Sequence, residues 1–420
     1  MNVVITGVGA VTALGRNCRA AWPRLMDGAN GIAAIRRFDA SAYPSSVAAE
    51  VCDDDLSWPE TGLPKEYCRR GTRMLVQSAL EAVADSGLRD ARYQPHEVGV
   101  ASGVSVNYLH MGHLRRSWQA RGADRRHLDV QRLAERGGVA EWALHRQLGD
   151  FAGAAVADAV GVSGPQLVVD SACAASAHAI GEAARWIHRG RVRAMIAAGG
   201  CGIVVPIGVL AFGRLGALSA NRDPEWASRP FDRDRDGFVL GEGGGAVVLE
   251  TLDDARRRGA PIYAQLSGFG STLSAHSLTD PSPDGSAEAE AMRLALADGS
   301  IDAETVDYIA AHGTSTPKND AIETRAIRRV FGSQAERLLV SSVKGQVGHT
   351  LSAAGALNVI AAAMAIARSE VPPTAHYANP DPDCDLDYVA NAGREARVRA
   401  ALANAFAFGG QNAVIALRAV

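Results

Sequence analysis

The 420-residue sequence has no long apolar run, no paired-cysteine motif, few aromatic residues and no excess of either charge. Each lack excludes something. No stretch offers about 18 consecutive apolar residues, so no membrane-spanning helix is expected. The six cysteines, Cys18, Cys52, Cys68, Cys173, Cys201 and Cys384, form no C-x-x-C pair and are irregularly spaced. Neither a zinc site nor a disulfide framework is therefore expected. Aromatics are 5% of the chain, too few for base-stacking platforms, and 43 Lys and Arg against 46 Asp and Glu give a net charge of -3. That balance disfavours a nucleic-acid partner. The opening residues Met1 to Gly7 carry neither the basic region nor the apolar stretch of a signal peptide. The expectation is a cytoplasmic protein with free thiols, no metal, and no membrane or nucleic-acid partner.

What is present is a large apolar fraction, 47%, on a chain longer than one typical domain, and 44 glycines. Glycine at that density goes to tight turns and to backbone that must come close to something. Short runs rich in β-branched residues recur, each followed by a helical pattern. Strands are predicted at 2–7, 98–102, 166–170, 194–199 and 245–250, with helices at 70–86 and 174–188. The runs are continuous rather than alternating, which predicts a sheet covered on both faces. The same order restarts near Pro261: strands at 263–268, 306–311, 338–343, 400–407 and 413–418, and helices at 286–297, 321–331 and 352–368. The chain thus reads as a duplicated α/β protein with halves 1–255 and 256–420. A helical, Arg- and His-rich stretch around 107–162 fits neither half and reads as an insertion.

Two motifs mislead. Val3–Gly9 resembles the start of a dinucleotide-binding turn, but its third glycine would fall at Thr12 and no suitable acidic residue follows. A strand closing in a tight turn fits better. Asp232–Gly237 resembles half a calcium loop, but the twelfth position is Gly243 rather than Glu, which argues against calcium.

Three other segments carry chemistry. Cys173, in Asp170-Ser171-Ala172-Cys173-Ala174-Ala175-Ser176, lies between an apolar strand and an alanine-rich helix. At a helix N-terminus the unpaired N–H groups favour an anion, which predicts a lowered thiol pKa. His312 opens His312-Gly313-Thr314-Ser315-Thr316-Pro317-Lys318-Asn319-Asp320, just past a strand. His349 closes Lys344-Gly345-Gln346-Val347-Gly348-His349, past another. Strand carboxyl ends are where open α/β sheets bind ligands. A thiol with two imidazoles fits nucleophilic acyl transfer with proton-transfer or electrophilic help. A cysteine protease needs only one histidine.

These segments, with Val3–Gly15, Ser228–Gly245 and Asn404–Ala413, resemble the β-ketoacyl-acyl-carrier-protein synthases of the elongating, thiolase-like type, nearly end to end. The relatives include fatty-acid condensing enzymes and discrete-subunit polyketide ketosynthases. The resemblance implies a duplicated fold in five layers, αβαβα. It implies decarboxylative Claisen condensation of malonyl units with a cysteine-bound acyl chain, no cofactor, and substrates carried on the phosphopantetheine of an acidic acyl carrier protein. It implies a homodimer, or a heterodimer with a ketosynthase-like chain-length factor. A non-catalytic partner subunit is disfavoured by the presence of Cys173, His312 and His349. A thiolase is disfavoured by two histidines in place of one histidine and a second cysteine.

By position, the resemblance makes Cys173 the acylated nucleophile and gives malonyl decarboxylation to His312 and His349. Lys344 and Glu323 take the places of a supporting ion pair. Phe408 matches a gating residue whose backbone N–H, with that of Cys173, forms an oxyanion hole. Thr314 and Thr316 match hydroxyls that bind pantetheine, and Lys65, Arg69 and Arg70 match a carrier-docking helix. Gly345 stands where the family usually has Ser, Ser352 where it has Gly, and Ala407 where the gate has Gly. If residue 407 must reach positive φ, Ala407 predicts a stiffer gate.

Overall fold

The computed structural model describes residues 2–58, 62–63, 68–105, 111–122, 124, 127–138 and 148–420. The first half begins with β1 (Val3–Thr12) and α1 (Cys18–Met26), then α2 (Arg70–Ser86) and β2 (Val98–Val104). It continues through α3 (Met111–Gln119), α4 (Val130–Glu135), α5 (Asp150–Val160), β3 (Gln166–Asp170), α6 (Ala175–His188), β4 (Ala194–Cys201), α7 (Pro206–Arg214) and β5 (Gly243–Thr251). After α8 (Leu252–Arg257) come β6 (Ala264–Leu273), α9 (Ser286–Asp298), β7 (Val306–Ala310), α10 (Pro317–Phe331) and β8 (Leu339–Ser341). The chain ends with α11 (Lys344–Val347), α12 (Ala354–Arg368), β9 (Ala400–Phe406) and β10 (Gln411–Arg418).

The strands lie in the order β8-β7-β9-β10-β6-β1-β5-β4-β2-β3. Read outward from the centre, both halves repeat one pattern: β1-β5-β4-β2-β3 and β6-β10-β9-β7-β8. Strand directions repeat too. β2 is parallel to β3 and β4, as β7 is to β8 and β9, while β5 and β10 run antiparallel to their neighbours. The halves join where Val3–Ile5 pairs antiparallel with Ala264–Leu266.

Helices α6 and α12 touch strands of both halves and form the middle layer. α2 and α5 cover the outer face of the first half, and α9, with α10 beside it, covers the second. This is the five-layer thiolase-like arrangement. The segment Leu351–Arg368 is long and apolar enough to cross a membrane by composition, but it is almost wholly buried as the core of that middle layer. Its small side chains let the two halves of the sheet close on one helix.

Three expectations change. β1 does not close in a turn after Gly7; it runs on to Thr12, wholly buried. Its glycines serve close packing instead, since a side chain at Gly7 would overlap the Ala82 carbonyl of α2 and one at Gly9 the Ser78 carbonyl. The insertion ends earlier than residue 162. α5 is the crossover helix between parallel β2 and β3, packed on α2, just as α10 joins β7 to β8. And β3 is not buried on both faces: Gln166, Val168 and Asp170 are exposed along its length, leaving an open sheet edge.

Candidate active site

The site forms where three strand-to-helix loops of the duplicated fold converge. Cys173 follows β3. Ser171 takes φ -140° and ψ 43°, Ala172 takes φ 48°, and a single 3-10 turn, Ala172–Ala174, feeds α6. The second half repeats the device before α12, with Leu351 at φ 43° and a 3-10 turn Leu351–Ala353. The two turns pack against each other. The duplication thus sets Ser352 opposite Cys173. His349 comes just before its turn, and His312 leaves the end of β7.

His312 is clamped from both sides through its backbone. Glu323, on α10, accepts the N–H of His312 at 2.8 Å and of Gly313 at 2.7 Å. Lys344 donates its Nζ–H to the His312 carbonyl. Lys344 and Glu323 are therefore not in direct contact, since no N–O approach within 4 Å joins them. The expected ion pair acts through the peptide of His312 held between its members. Asn404 of β9 donates to Glu323 at 3.0 Å. Asn358 of α12 donates to the carbonyls of Ala311 and Asn404 at 3.0 and 2.8 Å. His349 is fixed by its N–H to the Val239 carbonyl at 2.7 Å and by Leu351 N–H, which donates to His349 Nδ1 at 3.3 Å. With Nδ1 accepting, the proton sits on Nε2. The two imidazoles lie 5.3 Å apart, ring centre to ring centre, at 82°.

Electrostatics keep both rings neutral. Burial, then the Lys344 charge, holds His312 and His349 well below the ordinary histidine range. Lys344, 2% exposed, is pushed down to about 8 by burial, with Glu323 opposing the shift. Glu323 is raised by burial despite its N–H donors. Cys173 departs from expectation: burial pushes its thiol up to about 11, and Lys344 and the N–H groups of Phe408 and Cys173 only offset this in part. The pull of these groups is smaller than desolvation in the resting site. Those two N–H groups lie close enough to the thiol to lower its pKa, the neighbourhood in which an oxyanion hole needs its donors.

A cavity of about 290 Å³ opens onto Cys173, His312, His349 and Phe408. Thr314 and Thr316 line it with hydroxyls 2.9 Å apart. Phe408 begins a tight turn in which Gly409 and Gly410 take φ 84° and 75°, while Ala407 stays outside the left-handed region. The alanine therefore costs nothing in this state, and the hinge freedom lies in the two glycines. The other departures also fit locally. Ser352 donates to the Gly200 carbonyl at 2.9 Å, and a side chain at Gly345 would come within 2.9 Å of the Ala375 carbonyl.

The docking helix fares worst. Lys65 lies outside the described residues. Arg69 stands half-buried at the start of α2. Arg70 is turned inward, only 12% exposed, its Nε 2.8 Å from the fully buried carboxylate of Glu242, with Asp53 and the Val51 carbonyl on its other nitrogens. A guanidinium spent on a buried carboxylate is a structural strut, so Arg70 leaves the docking set.

Sequence reasoning missed the groups that hold the loops. Asp320 accepts the N–H groups of Thr314, Ser315 and Phe231 at 2.8–3.0 Å, with Arg235 beside it. Asp232, in the segment that only resembles a calcium loop, accepts N–H groups of Asp234, Ala378 and Asn379. Nothing in the polar runs around Asp232 and Asp320 marks them as buried; a buried carboxylate must find donors, and here the backbone supplies them.

Comparison with known proteins agrees with this geometry. The Beta-ketoacyl synthase N-terminal domain matches residues 1–255, and its C-terminal domain matches 263–378. The chain is 38% identical to a 3-oxoacyl-[acyl-carrier-protein] synthase 2 of Synechocystis sp., over 99% of this chain and 97% of that one. It is 39% identical to one of Coxiella burnetii, over 100% and 98%. Among solved structures, a Beta-ketoacyl synthase from Burkholderia phymatum superposes with TM-score 0.87 at 32% identity, covering 100% and 99%. A ketosynthase complex described as a type II PKS acyl-carrier protein with its ketosynthase bound to the hexaketide gives 0.88 at 31%, also covering 100% and 99%. The ishigamide ketosynthase/chain length factor gives 0.86 at 31%, with the same coverage. The chain belongs to the Beta-ketoacyl synthase family and is an acyltransferase that joins acyl units by Claisen condensation.

Proposed function

We propose that this enzyme condenses malonyl units, borne on an acyl carrier protein, with an acyl chain held on Cys173. The observation that carries the reading is one cavity containing a thiol under two N–H donors and two neutral imidazoles. First, Cys173 attacks the acyl thioester; its proton leaves with the departing carrier thiol. Malonyl thioester then enters. Its carboxylate departs as CO2, and the enolate oxygen receives hydrogen bonds from the Nε2–H groups of His312 and His349. Neutral donors stabilise that charge without protonating it. The enolate carbon attacks the Cys173 thioester, and the new oxyanion accepts from the N–H groups of Cys173 and Phe408. Collapse expels Cys173, which regains a proton from water. Protein groups alone carry these steps, and no cofactor is called on.

Thr314 and Thr316 would hold the pantetheine arm. The carrier would be acidic and dock by the cavity mouth. Arg69 remains a candidate there, joined by exposed Arg214 at the end of α7, next to cavity-lining Leu215. The open edge of β3 supports pairing with a second ketosynthase-like chain, identical or a chain-length factor. The enzyme would work in the cytoplasm. Full-length relatives named 3-oxoacyl-[acyl-carrier-protein] synthase 2, at 36–39% identity, support fatty-acid elongation, with a polyketide subunit as the second reading supported by the superposed polyketide ketosynthases. The test is the mass of products released from malonyl-carrier and a panel of acyl-carriers. A single two-carbon extension supports elongation, and a longer poly-β-keto product that needs a co-purified partner supports the second. No acyl transfer to Cys173 with any carrier would refute both.

A further inference from the structure

Glu288 is a group that the proposed reaction does not use. It sits in the first turn of α9, lines the same cavity as Cys173 and the two histidines, and is only 2% exposed. One carboxyl oxygen, Oε2, has no hydrogen-bond partner. No cation pairs with it among the described residues. Burial raises its pKa, its own backbone N–H partly countering. A buried carboxyl oxygen left without a donor is costly, so on a side chain that lines the cavity it calls for a donor that the carboxyl can turn to meet when the ligand arrives.

The substrate of the proposed reaction has three parts, and their chemistry differs. The malonyl group is anionic and offers only acceptors. A plain acyl chain offers no polar hydrogen. The pantetheine arm alone brings N–H groups, from its two amides. An amide needs both kinds of partner: hydroxyl donors for its carbonyl, which Thr314 and Thr316 supply in this cavity, and an acceptor for its N–H. We propose that Glu288 is a specificity residue that accepts an amide N–H of the pantetheine arm. The inference rests on the condensation reading above.

The test compares two malonyl thioesters, one of pantetheine and one of an amide-free thiol of similar length, with decarboxylation as readout. The preference for pantetheine, as a ratio of kcat/KM values, should fall about tenfold in Glu288→Met, through KM, the worth of one hydrogen bond to a charged group. Glu288→Gln keeps an acceptor oxygen and should retain most of the preference. Thermal melting of the variants controls for folding, and Glu288→Ala, which also removes the acceptor, carries the test if Glu288→Met does not fold. An unchanged ratio in both variants overturns the assignment to Glu288 alone. Wild-type enzyme that decarboxylates neither thioester overturns the condensation reading and this inference with it.

Discussion

Lys344→Met removes the one charge that faces both histidines and the thiol while nearly preserving volume. Lys344 is pushed down to about 8 from an ordinary lysine value of 10.5. The sign follows from proton binding. In the unfolded chain this lysine stays protonated to high pH, whereas in the folded protein it loses its proton near 8. The unfolded state therefore binds more protons between these values, and stability rises with pH there. Between pH 7 and 9 the gain comes to roughly 1 kcal/mol for this group alone. Urea unfolding of wild type should show that gain, and Lys344→Met should lack it. Activity should move the other way. Wild-type decarboxylation should decline above about pH 8 as the cation is lost. In Lys344→Met that limb should vanish, and the acid limb should rise, because Lys344 lowers both imidazoles. Superimposable pH profiles for the two proteins, in stability and in rate, would refute the assignment of these shifts to Lys344.

Cys173→Ala should keep the fold and part of the malonyl decarboxylation but lose the acyl adduct; intact mass spectrometry showing an adduct in the variant would place the nucleophile elsewhere. His312→Ala and His349→Ala should each still acylate Cys173 while condensation drops ~10²–10³-fold, the usual cost of one oxyanion donor; wild-type decarboxylation in either variant would sink its role. Arg70→Glu should destabilise the protein by about 3–5 kcal/mol, the cost of breaking a buried pair, measured by urea unfolding. A stable Arg70→Glu variant that only weakens carrier binding would return Arg70 to the docking surface.

Much of the fold was legible because the strands are continuous apolar runs and the helices small-residue stretches, a pattern local sequence carries well. The helix at 70–86 and the strand at 166–170 coincide with α2 and β3. Legibility failed where tertiary partners decide. Gly7 and Gly9 look like turn residues until α2 is laid across them. Arg70 looks like a surface cation until Glu242, 172 positions away in sequence, is found beneath it. The raised thiol of Cys173 needs the depth of its burial, which no motif states.

The duplication explains why the site is asymmetric. Both halves build the same sharp turn ahead of a middle-layer helix, with a strained residue at 172 and again at 351. One turn carries Cys173 and the other Ser352, which only braces the Gly200 carbonyl. What the second half supplies instead comes from its edges: His349 just before the turn, and His312 from the β7–α10 loop. The matching β2–α5 loop of the first half holds the insertion instead. Fold symmetry brings the loops to one point. The chemistry depends on each copy having given up a different part of the pattern.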